Sequence, residues 1–210
     1  MRKILMLIIM ISVLVSSSVC FGYGEIKRIK YEFNDDMIKS VDVSPVYTIF
    51  DENNDNRDLL LAMNGYDLKN QKITKEMVLQ EFKDKGVLLY IYCLPIHQDV
   101  TILKNVSQFG PDNPLNAIFE KNAPLTPDLQ DALINTFPKI RPGAIATKVD
   151  IETFDRSRFV AIDAVQNTMA LKVYITKKAE NILTIVFQAP RTEKYFKDTI
   201  FSFMVAAEFI

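Results

Sequence analysis

The chain has 210 residues, 49% of them hydrophobic and 14 of them Phe, which excludes a disordered or fibrous protein and leaves enough chain for one domain with a core. Its formal charge is −1, and its longest basic cluster is Lys27-Arg28-Ile29-Lys30, so nothing draws it electrostatically to nucleic acid. Cys20 and Cys93 are the only cysteines, and a chain that loses Cys20 has no internal disulfide and relies on its core for stability.

At the start, Arg2 and Lys3 precede an apolar run at 4–15 that only Ser12 interrupts. Ser16, Ser17, Ser18 and then Cys20-Phe21-Gly22-Tyr23-Gly24 follow. A basic start, a short apolar stretch and a small-residue exit are the parts of a secretory signal. The run is well short of the roughly 20 apolar residues that a bilayer span requires. Residues 1–24 are therefore expected to be a signal peptide cut after Gly22 or Gly24, residues 25–210 a single domain, and the protein exported. An uncleaved anchor stays open as an alternative, as does lipidation at Cys20, although β-branched Val19 fits a lipidation site poorly. Contact with a membrane is expected only through this segment. Export without disulfides, with many Lys, Ile and Asn residues, points to a bacterial source.

Beyond the leader, Ile29, Tyr31 and Phe33 alternate with charged residues as in a half-buried strand, which Asn34-Asp35-Asp36 breaks. Residues 46–50 read as a second strand, and 59–63 as a short helical turn ended by Asn64-Gly65. Thr74 is a good N-cap for a helix over 75–85, with Met77, Val78 and Phe82 as its buried stripe and Gly86 as its stop. Residues 87–93 form an apolar strand closed by Pro95, with Tyr90 and Tyr92 on one face and Leu89, Ile91 and Cys93 on the other. A partner strand follows at 100–106. The proline-rich stretch 109–124 reads as a loop. Thr126-Pro127 opens a helix over 127–137 with Leu129, Ala132, Leu133 and Phe137 buried.

Four strands then follow in a row, at 147–154, 158–165, 169–176 and 181–188, with short polar turns between them. Such a series makes an antiparallel meander. Residues 192–209 return to helical spacing, with Tyr195, Ile200, Phe203, Met204 and Ala207 along one side. The fold class is α+β: a mostly antiparallel sheet with helices packed on its faces.

The closing pattern also carries a resemblance. A meander ending in Leu183-Thr184-Ile185-Val186-Phe187-Gln188-Ala189-Pro190, then a helix with Phe196 and Ile200-Phe201-Ser202-Phe203, is similar to the PsbP/DcrB-like α/β/α sandwich group. Val46-Tyr47-Thr48-Ile49-Phe50-Asp51, the helix start at 74–78 and the strand at 87–92 extend the likeness over most of residues 25–210. The stretch 109–124 and the ending Ala206-Ala207-Glu208-Phe209-Ile210 depart from the group's pattern. The resemblance implies an α/β/α sandwich and a non-enzymatic accessory or binding protein of the cell envelope. It implies no catalytic residue, no metal ligand and no cofactor, and a partner that is an envelope protein or a small apolar ligand.

Three groups of residues compete with that expectation. Cys93 and His97, four apart across Pro95, would be a nucleophile and base or half a metal site. A buried thiol and a loop histidine explain them as well. Asp163 interrupts the apolar strand around it, as a carboxylate in an unfamiliar enzyme would; an ion pair with Lys172 on the next strand is the plainer explanation. The loop Asp51-Glu52-Asn53-Asn54-Asp55-Asn56-Arg57-Asp58 has oxygen side chains at positions 1, 3 and 5 of a calcium loop. It lacks the Gly at position 6 (Asn56) and the Glu at position 12 (Ala62), so a solvated turn accounts for it.

Overall fold

The computed structural model describes residues 28–63, 73–106, 113–120 and 122–210. The expected leader, Cys20 included, and the Asn64-Gly65 stop lie outside these residues. The architecture is α+β, with a seven-stranded, wholly antiparallel sheet at its centre. In chain order its strands are β3 (Thr48–Ile49), β4 (Val87–Cys93), β5 (Gln98–Val106), β6 (Ala144–Phe154), β7 (Ser157–Gln166), β8 (Met169–Lys178) and β9 (Asn181–Pro190). Their spatial order is β3-β4-β5-β9-β8-β7-β6. The meander forms as the sequence predicts. Asp155 and Arg156, both at positive φ, make the tight turn between β6 and β7 that suits the twist of a two-residue hairpin.

A second, three-stranded sheet has the order β1 (Ile29–Glu32), β2 (Ile38–Val43), β10 (Glu208–Phe209). It covers one face of the large sheet together with α5 (Phe196–Ala206), and we call this the front face. Its core joins Ile38 and Val41 of β2, Ile91, Ile102, Phe159, Ile185 and Phe187 of the large sheet, and Phe203 and Met204 of α5. Rings of Phe154, Phe159, Tyr174, Phe187, Phe203 and Phe209 meet edge to face along this layer, the geometry that their quadrupoles favour.

The opposite, back face carries two separate groups of helices. α1 (Arg57–Met63) and α2 (Lys75–Asp84) pack Leu59 and Val78 against Phe50 and Tyr92. α3 (Pro114–Glu120) and α4 (Pro127–Ile140) pack Leu115, Ile118, Leu133 and Phe137 onto β6–β9. Thr74 and Thr126 cap α2 and α4 as expected, each hydroxyl accepting from the amide three residues on. Gly86 ends α2 at φ +68°, and a Cβ there would lie 2.2 Å from the Lys104 carbonyl oxygen, so glycine is required on two counts.

Several expectations are corrected. β2 was not foreseen, yet Ile38 and Val41 are fully buried. The strand expected at 46–50 shrinks to two paired residues. Within the expected loop at 109–124, residues 114–120 are helical: Pro114 takes the first helical position, and Asn113 Oδ1 caps the Leu115 amide. α4 runs past Phe137 through Pro138, because a proline in the last turn forfeits only one hydrogen bond. The terminal helix stops at Ala206, and the tail turns back as β10 to pair with β2. Met77 and Tyr195, expected on buried stripes, are exposed.

Candidate functional site

Strand alternation places Asp99 of β5 on the back face with Thr101 and Leu103. The register sets it opposite Tyr92 on β4 and Gln188 on β9. The end of α4 delivers Arg141 above this pair. Arg141 Nη2 donates to Gln188 Oε1 at 2.8 Å, and its Nε donates to Gln166 Oε1 at 3.1 Å. Burial pushes the Asp99 carboxyl up to about 7, with the Arg141 charge pulling the other way. Burial likewise holds the guanidinium below its ordinary value, and Asp99 opposes that shift. On the same strand Gln98 is buried, and its Nε2 has no hydrogen-bond partner among the described residues. The Tyr47 hydroxyl is in the same state, and burial raises its pKa, with Cys93 and Asp99 adding to the shift.

Two cavities meet at this cluster. The larger, about 900 Å³, is a trough between the two helix groups. Leu103, Val173, Ile175, Ile182, Thr184 and Val186 line its floor, while Phe137, Ile140 and Arg141 line the wall from α4. The smaller, about 460 Å³, lies at the sheet end beside Tyr90, Tyr92, Gln98, Asp99 and Gln188. The Arg141–Gln188 hydrogen bond joins the wall of one to the wall of the other. Apolar cavities with a few convergent polar groups and a perturbed carboxylate are where ligands bind most often.

Cys93 and His97 also line the smaller cavity. A 3₁₀ turn over Leu94–Ile96 separates them, and His97 ends it in the left-handed conformation. No hydrogen bond joins the pair among the described residues, and burial raises the pKa of the Cys93 thiol, the reverse of an activated nucleophile.

Asp163 lies on the front face, as strand alternation requires. Its Oδ1 accepts from Lys172 Nζ at 3.0 Å, directly across from it on β8. Lys172 also donates to Glu152 Oε1 at 2.9 Å, and the Tyr174 hydroxyl donates to the other Glu152 oxygen at 2.9 Å. A cavity of about 490 Å³ separates this cluster from Phe196, Ile200 and Phe201 of α5. The ammonium is shared between two carboxylates, whose attraction offsets the cost of taking a nearly buried lysine out of water.

In the 51–58 loop, the oxygens that a calcium ion would need are already in use. Asp51 Oδ1 accepts from the amides of Asn53 and Asn54, and Asp55 Oδ1 accepts from the Arg57 amide. Lys75 Nζ donates to the carbonyls of Glu52 and Asn54 at 2.9 and 2.7 Å, so an ammonium group occupies the loop's carbonyl cradle. Asn56, at the sixth position, is buried and ties the loop together through Asp51 O, Asn54 O and the Tyr92 hydroxyl.

Sequence reasoning singled out Asp163 and its Lys172 partner but missed Asp99, Arg141, Gln166 and Gln188. The available signal was Asp99 itself, a charge directly before the apolar strand at 100–106. Its partners come from two other strands and a helix end, which no spacing along the chain reveals.

No family model matches this chain, and no curated protein matches it by sequence. Solved structures do. The solution structure of cyanobacterial PsbP (CyanoP) from Synechocystis sp. PCC 6803 superposes with a TM-score of 0.52 at 10% identity, covering 90% of this chain and 96% of that one. A crystal structure from Bacteroides thetaiotaomicron VPI-5482 aligns at a TM-score of 0.40 and 10% identity, over 81% of this chain and 44% of that one. The α+β architecture described above, with its antiparallel sheet between layers on both faces, is therefore a PsbP-like fold.

Proposed function

We propose that this chain is a non-enzymatic, extracytoplasmic binding protein of the bacterial cell envelope that holds a small apolar ligand in the back-face trough. The observation that carries this reading is the trough itself: about 900 Å³ with a floor of Leu, Ile, Val and Thr side chains. The residues that chemistry would use are otherwise engaged. Asp163 is ion-paired, the Cys93 thiol is shifted toward its neutral form, and Lys75 sits in the acidic loop. Among the described residues no helix is long and apolar enough to cross a membrane.

The test is fluorescence of an anilinonaphthalene sulfonate reporter with the purified protein, compared with Thr184→Trp, which places an indole on the trough floor. Saturable binding by the wild type and its loss in the variant, at unchanged melting temperature, is the expected result. Equal signals from both proteins refute the trough as the site. Export is tested separately by the intact mass of natively expressed protein: cleavage near Gly22 or Gly24 is expected, and a full-length cytoplasmic product refutes it.

A further inference from the structure

The trough is not uniformly apolar. Along β9 its floor runs from Ile182, opposite Asn105 of β5, to Val186, four residues or ~13 Å of strand. Through that length the floor is aliphatic apart from Asn105 and Thr184. At one end stands Arg141. The hydrogen bonds that hold its guanidinium use Nε and one Nη2 hydrogen, both to neutral amide oxygens. Nη1 makes no hydrogen bond among the described residues, and no carboxylate among them lies at ion-pair distance. One edge of the guanidinium, with an N–H from each terminal nitrogen, is thus left on a half-buried cation that Gln166 and Gln188 fix in orientation. At the other end Lys85 is paired with Glu81, so the free positive charge is confined to one pole of the trough.

An elongated apolar slot with one fixed guanidinium at its end, in no ion pair and faced only by the buried Asp99 carboxyl, has the complement of a single-chain amphiphile with an anionic head. Two parallel N–H groups on one guanidinium edge match a planar carboxylate, which binds them as a fork. We propose that the trough takes a long-chain carboxylic acid, its head on the free edge of Arg141 and its chain laid along β5 and β9. This rests on the trough being the binding site, and it adds the ligand's chemical class and orientation. Gln166 and Gln188 are the positioning residues, since they spend their carbonyls on holding the guanidinium flat.

Two probes of equal chain length separate the two levels of the claim: palmitate and hexadecanol, titrated against the full chain by displacement of the same naphthalene reporter. The expected result is palmitate about tenfold tighter than hexadecanol, the difference that one charge-assisted pair supplies. Arg141→Gln should bring palmitate to the level of hexadecanol while leaving hexadecanol unchanged, and Arg141→Lys should restore part of the preference. Melting temperatures of both variants show whether they are folded. If neither probe displaces the reporter, the trough reading itself fails. If both bind equally and Arg141→Gln changes nothing, the trough stands and the carboxylate assignment is overturned. Dodecyl phosphate binding tighter than dodecanoate overturns it as well.

Discussion

On the front face Lys172 sits between Glu152 and Asp163, with Tyr174 completing the Glu152 oxygens. On the back face of the same sheet Arg141 bonds only to two glutamine carbonyls, and its carboxylate neighbour Asp99 is itself driven toward the neutral form. Both regions set a cation and a carboxylate beside a cavity, and both would score alike in a count of charged residues. They differ in whether the charges satisfy each other. The front cluster is a closed network that fixes strand register, while the back one keeps a donor edge free, and an open donor edge recognises something else.

Four measurements bear on that contrast. The largest effect is expected from Phe159→Ala, which empties the fully buried ring beneath Tyr174 and should cost about 4 kcal/mol in urea unfolding. Next, Lys172→Met leaves Glu152 and Asp163 facing each other without their cation. Since both carboxylates keep partial access to water, the loss should be about 2 kcal/mol, below that of a fully buried pair. A loss under about 1 kcal/mol would mean that the front network is not closed, and the contrast would collapse.

Asp99 gives the third measurement, and its sign is definite. Its folded value of about 7 lies above the ordinary carboxylate value, so the folded chain binds this proton more tightly than the unfolded one. The contribution is whole below the unfolded value near ~4 and is lost as pH rises through 7. Arg141 faces Asp99 from the end of α4, Cys93 and His97 line the same cavity, and Tyr90, Tyr92 and Tyr47 are nearby; burial raises the pKa of each tyrosine, so no tyrosine is charged in this range. Asp99→Asn should therefore stabilise the chain at pH 8 and leave it unchanged at pH 4. A parallel pH profile for wild type and variant would show that Asp99 is solvated. The smallest effect concerns the 51–58 loop. Millimolar calcium should leave the melting temperature unchanged, because Lys75 already neutralises the carbonyl cradle. A rise that grows with calcium concentration would instead make the loop a cation site.

What the sequence disclosed follows the range of its interactions. The meander from β6 to β9 was legible because its signals are local: alternation within each strand and turn residues between neighbours. That register also paired Asp163 with Lys172. β2 escaped notice because its apolar positions are few and follow an acidic breaker, and it is held in place by β10 from the far end of the chain. α3 was hidden because prolines in 109–124 suggested a loop, although Pro114 serves as a helix start. The Asp99–Arg141 cluster was illegible for a different reason. It exists only because β9 inserts between β5 and β8 and thereby lays Gln188 beside Asp99, a choice of neighbour that neither strand's own pattern expresses.

The return of the tail to β2 has a kinetic consequence. Glu208 is ion-paired with Lys30, 178 residues earlier, and with Lys39, which hold its carboxyl down at about 2. The Ile210 amide donates to the Met37 carbonyl. A contact between such distant residues closes a loop of nearly the whole chain, and its entropy must be met before the contact forms. The β2–β10 pairing and the cover that Phe209 places over Phe159 thus complete last, after the meander has formed from neighbouring strands.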